Sequence, residues 1–370
     1  MPALPDRITL ALFSLCLAPA LGAQALDDQL LGKVQEVIRA EMGQQGIVGL
    51  SAAIGVDGKV AWTKGFGLAD MENDVPATEH TVYRLASISK PVTATAVMQL
   101  VEQGKIDLDA PVGKYVSIWP KKRWPVTVRQ VLCHQGGIRH YAAKDVRNNT
   151  KAYATATASL EYFADDPLIH RPGSKYSYSS YGYNLLGAVV EGASGMSFVN
   201  YLEKNVFSKA GTEAMQDDSH ARVIKHRAQG YRRTGGGASG EAGAYRNSML
   251  VDVSYKVGGG GLCSTAADLV RFAQAVHAGQ LIEARTRDMM WKPQKTRSGD
   301  PTTYGFGWQI STRDGRRTIG HSGSQARVRT HLLLLPAERV VVSVMSNTEG
   351  SNPGRIVTQI AALVADARRH

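Results

Sequence analysis

Near the start of the chain, the pattern of apolar positions predicts a helix followed by a hairpin. Between residues 26 and 42, apolar side chains recur every three or four positions, as on the buried face of an amphipathic helix. Two apolar runs follow, at 50–56 and 59–65, and the Asp57-Gly58 pair between them is typical of a tight hairpin turn. The first part of the chain is therefore predicted to be helix, strand, turn and strand.

A second group of strands is predicted near the other end of the chain. Apolar runs lie at 306–311, 317–319, 330–335 and 340–345, with an Asp314-Gly315 turn between the first two. Residues 356–367 then show helical spacing. Because strands occur at both ends of the chain, we expect one antiparallel sheet that is completed by distant segments.

The middle of the chain, from about residue 90 to 250, is predicted to be a mostly helical insertion. Helical segments at 92–103, 128–133, 181–191 and 198–206 are separated by proline and glycine. The glycine-rich stretch 235–243 follows no predicted strand and contains no phosphate-loop lysine. We therefore interpret it as a mobile loop rather than a nucleotide-binding loop.

Residues 1–25 have the layout of a secretory signal peptide. A short segment with Arg7 precedes the apolar stretch 8–17 and the small-residue site at Ala23-Gln-Ala25. A membrane anchor is the weaker alternative because this stretch is too short to span a bilayer comfortably, and no later segment is long enough for a stable membrane span. The pattern predicts cleavage near Ala25 and a periplasmic or secreted protein.

Composition and charge narrow the class of protein. With 370 residues, of which 43% are hydrophobic, the chain is long enough for two packed parts of a globular protein. The net charge of +11 comes from scattered basic residues, which argues against nucleic acid as a partner and is compatible with carboxylate-bearing substrates. Cys133 and Cys263 allow either one disulfide or two buried thiols.

Ser87-Ile-Ser-Lys90 is the first candidate for chemistry. If Ser87 begins the helix predicted at 92–103, Lys90 lies on the same helix face and its amine can reach the serine oxygen. A serine hydroxyl needs a neighbouring base to become a good nucleophile, and a lysine with a lowered pKa can serve. Such a short motif is common by chance. Two further motifs, Tyr178-Ser-Ser180 and His321-Ser-Gly323, accompany it.

Two groups of residues leave alternatives open. His134 and His140 do not have the i, i+4 spacing of helical metal ligands and no carboxylate cluster accompanies them, so we interpret them as structural and predict no metal. Arg327 and Arg329 alternate along a strand-like stretch and are expected to point to one side. They would either bind a substrate carboxylate or form a solvated sheet face.

Taken together, the motifs resemble those of the serine β-lactamase-like superfamily. That superfamily includes class C β-lactamases, D-alanyl-D-alanine carboxypeptidases, related esterases and mitochondrial β-lactamase-like proteins. The similar segments occur in the same order as in the superfamily and extend across most of the chain, at 84–91, 131–141, 172–187, 259–268, 304–308 and 320–323.

The resemblance implies an α+β fold of the β-lactamase/transpeptidase type. Its antiparallel five-stranded sheet is flanked by helices and stands beside an all-helical region. Applied to this chain, residues 26–86 and 255–370 would form a discontinuous α/β domain and residues 87–254 a mostly helical domain. The active site would lie in the cleft between the two domains.

The resemblance also assigns catalytic roles. Ser87 would attack a carbonyl carbon, and Lys90 with Tyr178 would move its proton to the leaving group. His321 would complete this proton network or hold a substrate carboxylate. Backbone N–H groups of Ser87 and Ser324 would form the oxyanion hole. Neither a metal nor an organic cofactor is implied.

Two departures from the superfamily pattern shape the predicted activity. Ser180, which with Gly323 would contact the substrate, stands where class C β-lactamases have asparagine. His321 replaces their lysine. We therefore predict a peptidase, carboxypeptidase or esterase that forms a covalent acyl-enzyme on a small amide or ester. A class C-like β-lactamase and a non-turnover penicillin-binding sensor or assembly module are the alternatives.

Overall fold

The computed structural model describes residues 26–146, 149–234 and 244–369. The predicted signal peptide at 1–25 and the glycine-rich stretch at 235–243 lie outside the described residues. Within the described residues, no helix combines the length and the apolar character needed to cross a membrane.

Strands occur mainly near the two ends of the described part of the chain, and most helices lie between them. The helices are α1 (Asp28–Gln45), α2 (Ser89–Glu102), α3 (Val128–Leu132), α4 (Ala143–Val146), α5 (Ser180–Ser194), α6 (Phe198–Leu202), α7 (Ser208–Ala210), α8 (Val257–Gly260), α9 (Ala266–His277), α10 (Ala284–Met290) and α11 (Pro353–Ala367). The strands are β1 (Gly49–Val56), β2 (Lys59–Asp70), β3 (Val75–Pro76), β4 (Tyr83–Arg84), β5 (Gln216–Asp217), β6 (Tyr231–Thr234), β7 (Ala244–Asn247), β8 (Leu262–Ser264), β9 (Gln309–Arg313), β10 (Arg316–Gln325), β11 (Val328–Leu335), β12 (Val340–Ser346) and β13 (Thr348–Glu349).

One antiparallel sheet joins the two ends of the chain, as predicted. Its strand order is β3-β2-β1-β12-β11-β10-β9, so the N-terminal hairpin pairs directly with the C-terminal strands. The sheet has seven strands rather than the expected five, because the short strands β3 and β9 extend its two edges. The α+β fold class is confirmed.

The two predicted hairpin turns form where the sequence places Asp-Gly pairs. Asp57 and Gly58 have φ angles of 50° and 82°, and Asp314 and Gly315 have φ angles of 48° and 74°. Positive φ at both central residues matches the twist of the flanking strands, and Asp-Gly pairs adopt it at little cost. These turns fix the register of β1 with β2 and of β9 with β10.

Both faces of the sheet are covered, so the central strands are buried on both sides. Ala52 and Ile54 of β1 pack with the helices α1 and α11, where Ile38 and Ile360 have no exposed surface. Ala53 faces the other way, into the larger core that includes α9. Burying each large aliphatic side chain contributes about 1.5–3 kcal/mol, which makes these two layers the main support of the sheet.

Two helices of the middle region are buried almost all round. All residues of α2 from Ser89 to Leu100 are buried, as are all residues of α5 from Ser180 to Val190. A helix that is apolar on every side belongs in the interior of a large core, and these two helices pack against each other there. Their first turns carry the motifs that the sequence singles out.

The predicted helical insertion also contains strands. Residues 87–254 include β5, β6 and β7, and β6 pairs with β13 from the C-terminal part of the chain. Helices α9 and α10, by contrast, were not predicted.

We propose that residues 26–86 and 255–370 form one domain and residues 87–254 the other, because all strands of the large sheet come from the first set. Cys133 and Cys263 are both buried free thiols.

A pair of glycine substitutions tests the packing of α5. A Cβ added at Gly192 in α5 would stand 1.8 Å from the carbonyl oxygen of Tyr115, whereas a Cβ at Gly32 in α1 would meet nothing within 4 Å. We expect Gly192→Ala to destabilise the protein by about 1–3 kcal/mol because the added methyl group overpacks the contact. The matched control Gly32→Ala should stabilise it by about 0.5–1 kcal/mol by removing a flexible helix residue.

The measurement is the free energy of unfolding from urea titrations followed by circular dichroism. The two variants should shift the midpoint in opposite directions. Equal effects of the two substitutions would contradict the close approach of α5 to Tyr115.

Candidate active site

Ser87 lies at the entrance to the buried helix α2. It is the middle residue of a short 3-10 turn, Ala86–Ile88, which continues directly into α2. Ser87 is half-buried, while its neighbours on both sides are buried. Ala86 has a φ of 49°, a left-handed conformation that non-glycine residues rarely adopt. The chain is thus turned sharply so that the serine side chain stays accessible.

Strand β10 is held against this turn at close range. The hydroxyl of Thr330 in β11 donates a hydrogen bond of 3.0 Å to the carbonyl oxygen of Leu85. A Cβ at Gly323 would stand 2.4 Å from that same carbonyl oxygen, so only glycine permits the approach. Ser324 therefore follows at the point where β10 passes Ser87.

Beyond Gly320, β10 has a free edge. Its pairing with β9 runs from Arg316 to Gly320, whereas its pairing with β11 continues to Gln325. The sequence predicts that His321 lies on an edge strand. In the structure, His321 is the first residue of β10 beyond its pairing with β9. Among the described residues, no strand pairs with β10 along this side of 321–325, an arrangement that suits the predicted oxyanion donor of Ser324.

The amine of Lys90 is surrounded by uncharged oxygens. Its Nζ lies 3.1 Å from Ser87 Oγ, 3.0 Å from Ser180 Oγ and 2.6 Å from the carbonyl oxygen of Gly259. Lys90 has no exposed surface. A Cβ at Gly259 would stand 2.4 Å from the carbonyl oxygen of Ser180. Only glycine can therefore pack this close to α5 and bring its own carbonyl oxygen to the amine of Lys90.

Burial lowers the pKa of Lys90 well below its usual value, and the positive charge of Lys256 lowers it further. A neutral amine has two N–H groups and one lone pair. Gly259 O and Ser180 Oγ can accept the two N–H groups, which leaves the lone pair for the hydroxyl proton of Ser87. The contacts of Lys90 therefore match those of a base.

Tyr178 covers the amine of Lys90 from one side. Its ring centroid lies 4.7 Å from Lys90 Nζ. Burial raises the pKa of Tyr178, against smaller opposing effects of hydrogen bonds to Ser87 and Ser180. The phenol is thus protonated at neutral pH and is positioned to pass a proton between the serine and a leaving group.

His134 and His140 hold the motif that contains Tyr178 in place. The backbone N–H of Ser179 donates to His134 Nδ1 at 3.1 Å, and that of Ser180 donates to His140 Nδ1 at 3.0 Å. The ring of His134 also packs 4.3 Å from the ring of Tyr178. Burial is the main cause that lowers the pKa of His140 to about 4. These contacts agree with the structural interpretation of both histidines.

His321 contacts Tyr304, a residue for which the sequence predicts no role. Its Nδ1 lies 2.7 Å from the carbonyl oxygen of Ser322, so Nδ1 carries the proton and donates it there. Its Nε2 lies 2.9 Å from the hydroxyl of Tyr304 and accepts from it. Burial, followed by the charge of Lys90, lowers the pKa of His321 to about 3. A neutral histidine with both nitrogens engaged fits the proton network better than carboxylate binding.

Arg327 and Arg329 do not alternate on one strand. Arg327 lies in the turn between β10 and β11 with a φ of 77°, so the expectation that both side chains point to one side is wrong. The Arg327 guanidinium donates to the side-chain oxygen of Gln229. Arg329 begins the return strand, where its guanidinium donates to the carbonyl oxygens of Gln325 and Val328. A role in substrate binding stays a prediction for both.

The structure brings most of the predicted site residues together. Ser87, Lys90, Tyr178 and Ser180 are in mutual contact, and the ring of His321 lies 6.3 Å from that of Tyr178. Ser180 is buried, and its hydroxyl makes a contact with Lys90 that the sequence did not predict. Contact of Ser180 and Gly323 with a substrate stays a prediction.

Three residues of the site were missed by the sequence argument. They are Gly259, Lys256 and Tyr304, and they lie within or beside segments already noted at 259–268 and 304–308. The run Gly258–Gly261 was a usable signal, because four glycines in a row indicate close backbone packing. Nothing in the sequence indicated that a carbonyl in this run would contact Lys90.

Comparisons with known proteins identify the family to which the chain belongs. The family model described as Beta-lactamase matches residues 34–367. The human protein "Serine beta-lactamase-like protein LACTB, mitochondrial" is 30% identical over 81% of this chain and 70% of its own length.

Two solved structures share the fold. The octameric penicillin-binding protein homologue from Pyrococcus abyssi superimposes with a TM-score of 0.79 at 27% identity, covering 91% of this chain and 77% of its own. The D-amino acid amidase from Ochrobactrum anthropi SV3, complexed with D-phenylalanine, gives 0.78 at 20% identity, covering 92% of this chain and all of its own. With its fold, its ordered motifs and the family model across nearly all of the described residues, the chain belongs to the β-lactamase family of serine hydrolases.

Proposed function

We propose that this protein is a serine acyl hydrolase that cleaves a small amide or ester through a covalent acyl-enzyme on Ser87. The observation that supports this most directly is the contact of 3.1 Å between Lys90 Nζ and Ser87 Oγ, made by an amine that has no exposed surface and only uncharged contacts. Because burial favours the neutral amine, Lys90 can accept the serine proton.

The reaction starts when Ser87 Oγ attacks the carbonyl carbon of the substrate. The hydroxyl proton passes to Lys90 as the bond between oxygen and carbon forms. Collapse of the tetrahedral intermediate breaks the bond to the leaving group, which takes a proton through Tyr178. Water then attacks the ester of the acyl-enzyme, the same groups move its proton in reverse, and Ser87 is regenerated with release of the acid.

Stabilisation of the tetrahedral oxyanion is assigned to backbone donors. The N–H groups of Ser87 and Ser324 are the candidates, one at the start of α2 and one on the free edge of β10. The N-terminal end of a helix also favours developing negative charge. Removing one donor of this type costs about 2.7–4 kcal/mol in other hydrolases.

The surroundings of the amine favour a peptidase, amidase or esterase over a true β-lactamase. Ser180 replaces an amide and its hydroxyl is taken up by Lys90. His321 replaces a lysine and is neutral, so it supplies no cation for the carboxylate of a penicillin. The fold is shared with a D-amino acid amidase. We therefore propose a substrate with a D-amino-acid acyl or leaving group. We also propose that the N-terminal segment directs export of the protein.

The nucleophile is tested by replacing Ser87. Ser87→Ala should lower the turnover of p-nitrophenyl acetate by at least about a thousandfold, because no acyl-enzyme can form. The matched control is Ser322→Ala, which removes an exposed serine of β10 and should stay within twofold of the parent. Intact mass spectrometry after rapid quenching should find the acetyl group on the parent and not on Ser87→Ala. Undiminished turnover by Ser87→Ala would refute the assignment.

The role of Lys90 as a base is tested by the pH dependence of kcat/KM. A base acts only when it is neutral, so kcat/KM should rise as pH increases through the lowered pKa of Lys90 and then level off. Lys256→Met removes the charge that helps to lower this pKa and should move the rise to higher pH. Lys90→Arg stays protonated and should lose activity at every pH. A rise that Lys256→Met leaves in place would argue against this account.

The substrate class is tested by comparing acyl donors. We expect D-phenylalanine amide to be hydrolysed with a kcat/KM at least tenfold above that for L-phenylalanine amide and for benzylpenicillin. A penicillin adduct on Ser87 that persists for hours would instead favour the non-turnover sensor. Rapid consumption of benzylpenicillin would favour a β-lactamase. Ser87→Ala serves as the blank for each donor.

A further inference from the structure

A second cluster of charged side chains surrounds a small cavity beside β4, the strand that precedes Ser87. Three arginines, Arg84, Arg227 and Arg327, line this cavity with Asp218, and we refer to it as the arginine cavity. Its remaining lining residues are Tyr83, Ala228 and Cys263. The catalytic contacts described above involve none of these residues.

One carboxylate serves two of the three arginines. Arg84 Nε lies 2.5 Å from Asp218 Oδ2, and Arg227 Nη2 lies 3.1 Å from Asp218 Oδ1. The guanidinium of Arg327 donates instead to the neutral side chain of Gln229. The carboxylate of Glu349 accepts the backbone N–H of Arg327, and no ion pair joins it to that guanidinium in the described part of the chain.

The lining therefore carries three positive charges and one negative charge. Arg84 and Asp218 are only 7% and 4% exposed, so water screens these charges poorly. A buried cation without a counter-charge is costly, and folded proteins pair such groups or bind an ion. The excess of positive charge in the arginine cavity calls for an anion.

Two N–H groups are also left without a partner at this place. Arg84 Nη1 and Arg227 Nε are buried and make no hydrogen bond in the structure. Arg84 Nη2 donates to the carbonyl oxygen of Val251, and Arg227 Nη2 donates to that of Ser219. A buried donor without an acceptor is destabilising, so a ligand that accepts from Arg84 Nη1 and Arg227 Nε would stabilise the protein.

We propose that the arginine cavity binds one small monovalent anion, of which chloride is the natural example. The cavity volume of about 10 Å³ limits the ligand to a single atom. A halide ion is somewhat larger than a water molecule, and the partly exposed side chain of Arg227 can move outward to admit it. Sulfate and phosphate are too large, and their second charge would be repelled by Asp218. Arg84 Nη1 and Arg227 Nε would be the donors to the bound ion.

The ionisation of Arg327 agrees with an excess of positive charge. Burial lowers the pKa of Arg327 to about 10, with a further contribution from the charge of Arg84. A bound anion would oppose this shift. Because Arg84 lies three residues before Ser87, the ion would also stabilise the strand that positions the nucleophile, without touching a substrate.

Halide binding is tested by unfolding the protein in urea at constant ionic strength, with sodium chloride or bromide exchanged for sodium gluconate. Above the dissociation constant, each tenfold increase in halide should lower the unfolding equilibrium constant about tenfold. Sodium sulfate at the same ionic strength should not reproduce this. Equal stability in halide and gluconate would mean that the cavity holds water, and it would overturn the proposal.

Arginine variants assign the effect to this cavity. Arg227→Gln removes a charge and an unpartnered donor and should abolish the halide dependence. The matched control Arg222→Gln alters a neighbouring arginine that pairs with Asp217 outside the cavity, and it should keep the dependence. Arg227 is partly exposed, so this variant is expected to fold even where Arg84→Gln does not. Halide dependence that survives in Arg227→Gln would refute the site.

Crystals grown with sodium bromide give an independent test. An anomalous peak should lie within hydrogen-bond distance of Arg84 Nη1 and Arg227 Nε. A cavity without such a peak would overturn the proposal, even if halides stabilised the protein by binding elsewhere.

Discussion

The burial of one lysine amine sets the requirements for the rest of the site. Lys90 has no exposed surface, and its Nζ contacts oxygens from the turn before α2, the start of α5 and the glycine run at Gly258–Gly261. These three segments replace water around the amine with uncharged oxygens, and no carboxylate in the described part of the chain forms an ion pair with it. The glycines of the run make this possible, because a Cβ at Gly258 or Gly259 would collide with carbonyl oxygens of α5. This packing lowers the pKa of Lys90 well below its usual value, which is what the proposed role of a base requires.

A shell of aromatic rings isolates the amine from solvent. His134 packs against Tyr178, Tyr183 and Tyr304 with centroid distances of 4.3, 5.0 and 4.6 Å, and the hydroxyl of Tyr304 in turn donates to Nε2 of His321. Such rings exclude water while their polar atoms accept or donate a few defined hydrogen bonds. Burial among these rings keeps His134 and His321 neutral. Each ring then accepts a hydrogen bond, His134 from the backbone N–H of Ser179 and His321 from the hydroxyl of Tyr304. The shell explains why tyrosines are dense around residues 176–183.

The sequence predicts the fold and the centre of the site well, and it fails where long-range packing decides. Ser87 and Lys90 are found from helical spacing, and the Asp-Gly turns from local backbone preference, because both depend on neighbours in sequence. The contact between Lys90 and Gly259 joins residues 169 positions apart, so no local pattern could show it. Arg327 was misplaced because a two-residue turn between β10 and β11 resembles a continuing strand when only alternation is considered. The helix α9 was missed although its signals are local, since Thr265 caps its start and accepts the backbone N–H of Asp268.

The pairing of β1 with β12 also determines when the enzyme becomes complete during its synthesis. Leu50 lies opposite Ser346, so the centre of the sheet closes only after the chain has been synthesised as far as β12. Contacts of this sequence separation form late because a long loop must be closed before any pairing is gained. Until then β10 can pair with β9 and β11, but no strand joins these three to the hairpin of β1 and β2. A chain that stops before β12 would carry Ser87 and Lys90 and still lack the strand that connects the two parts of the sheet.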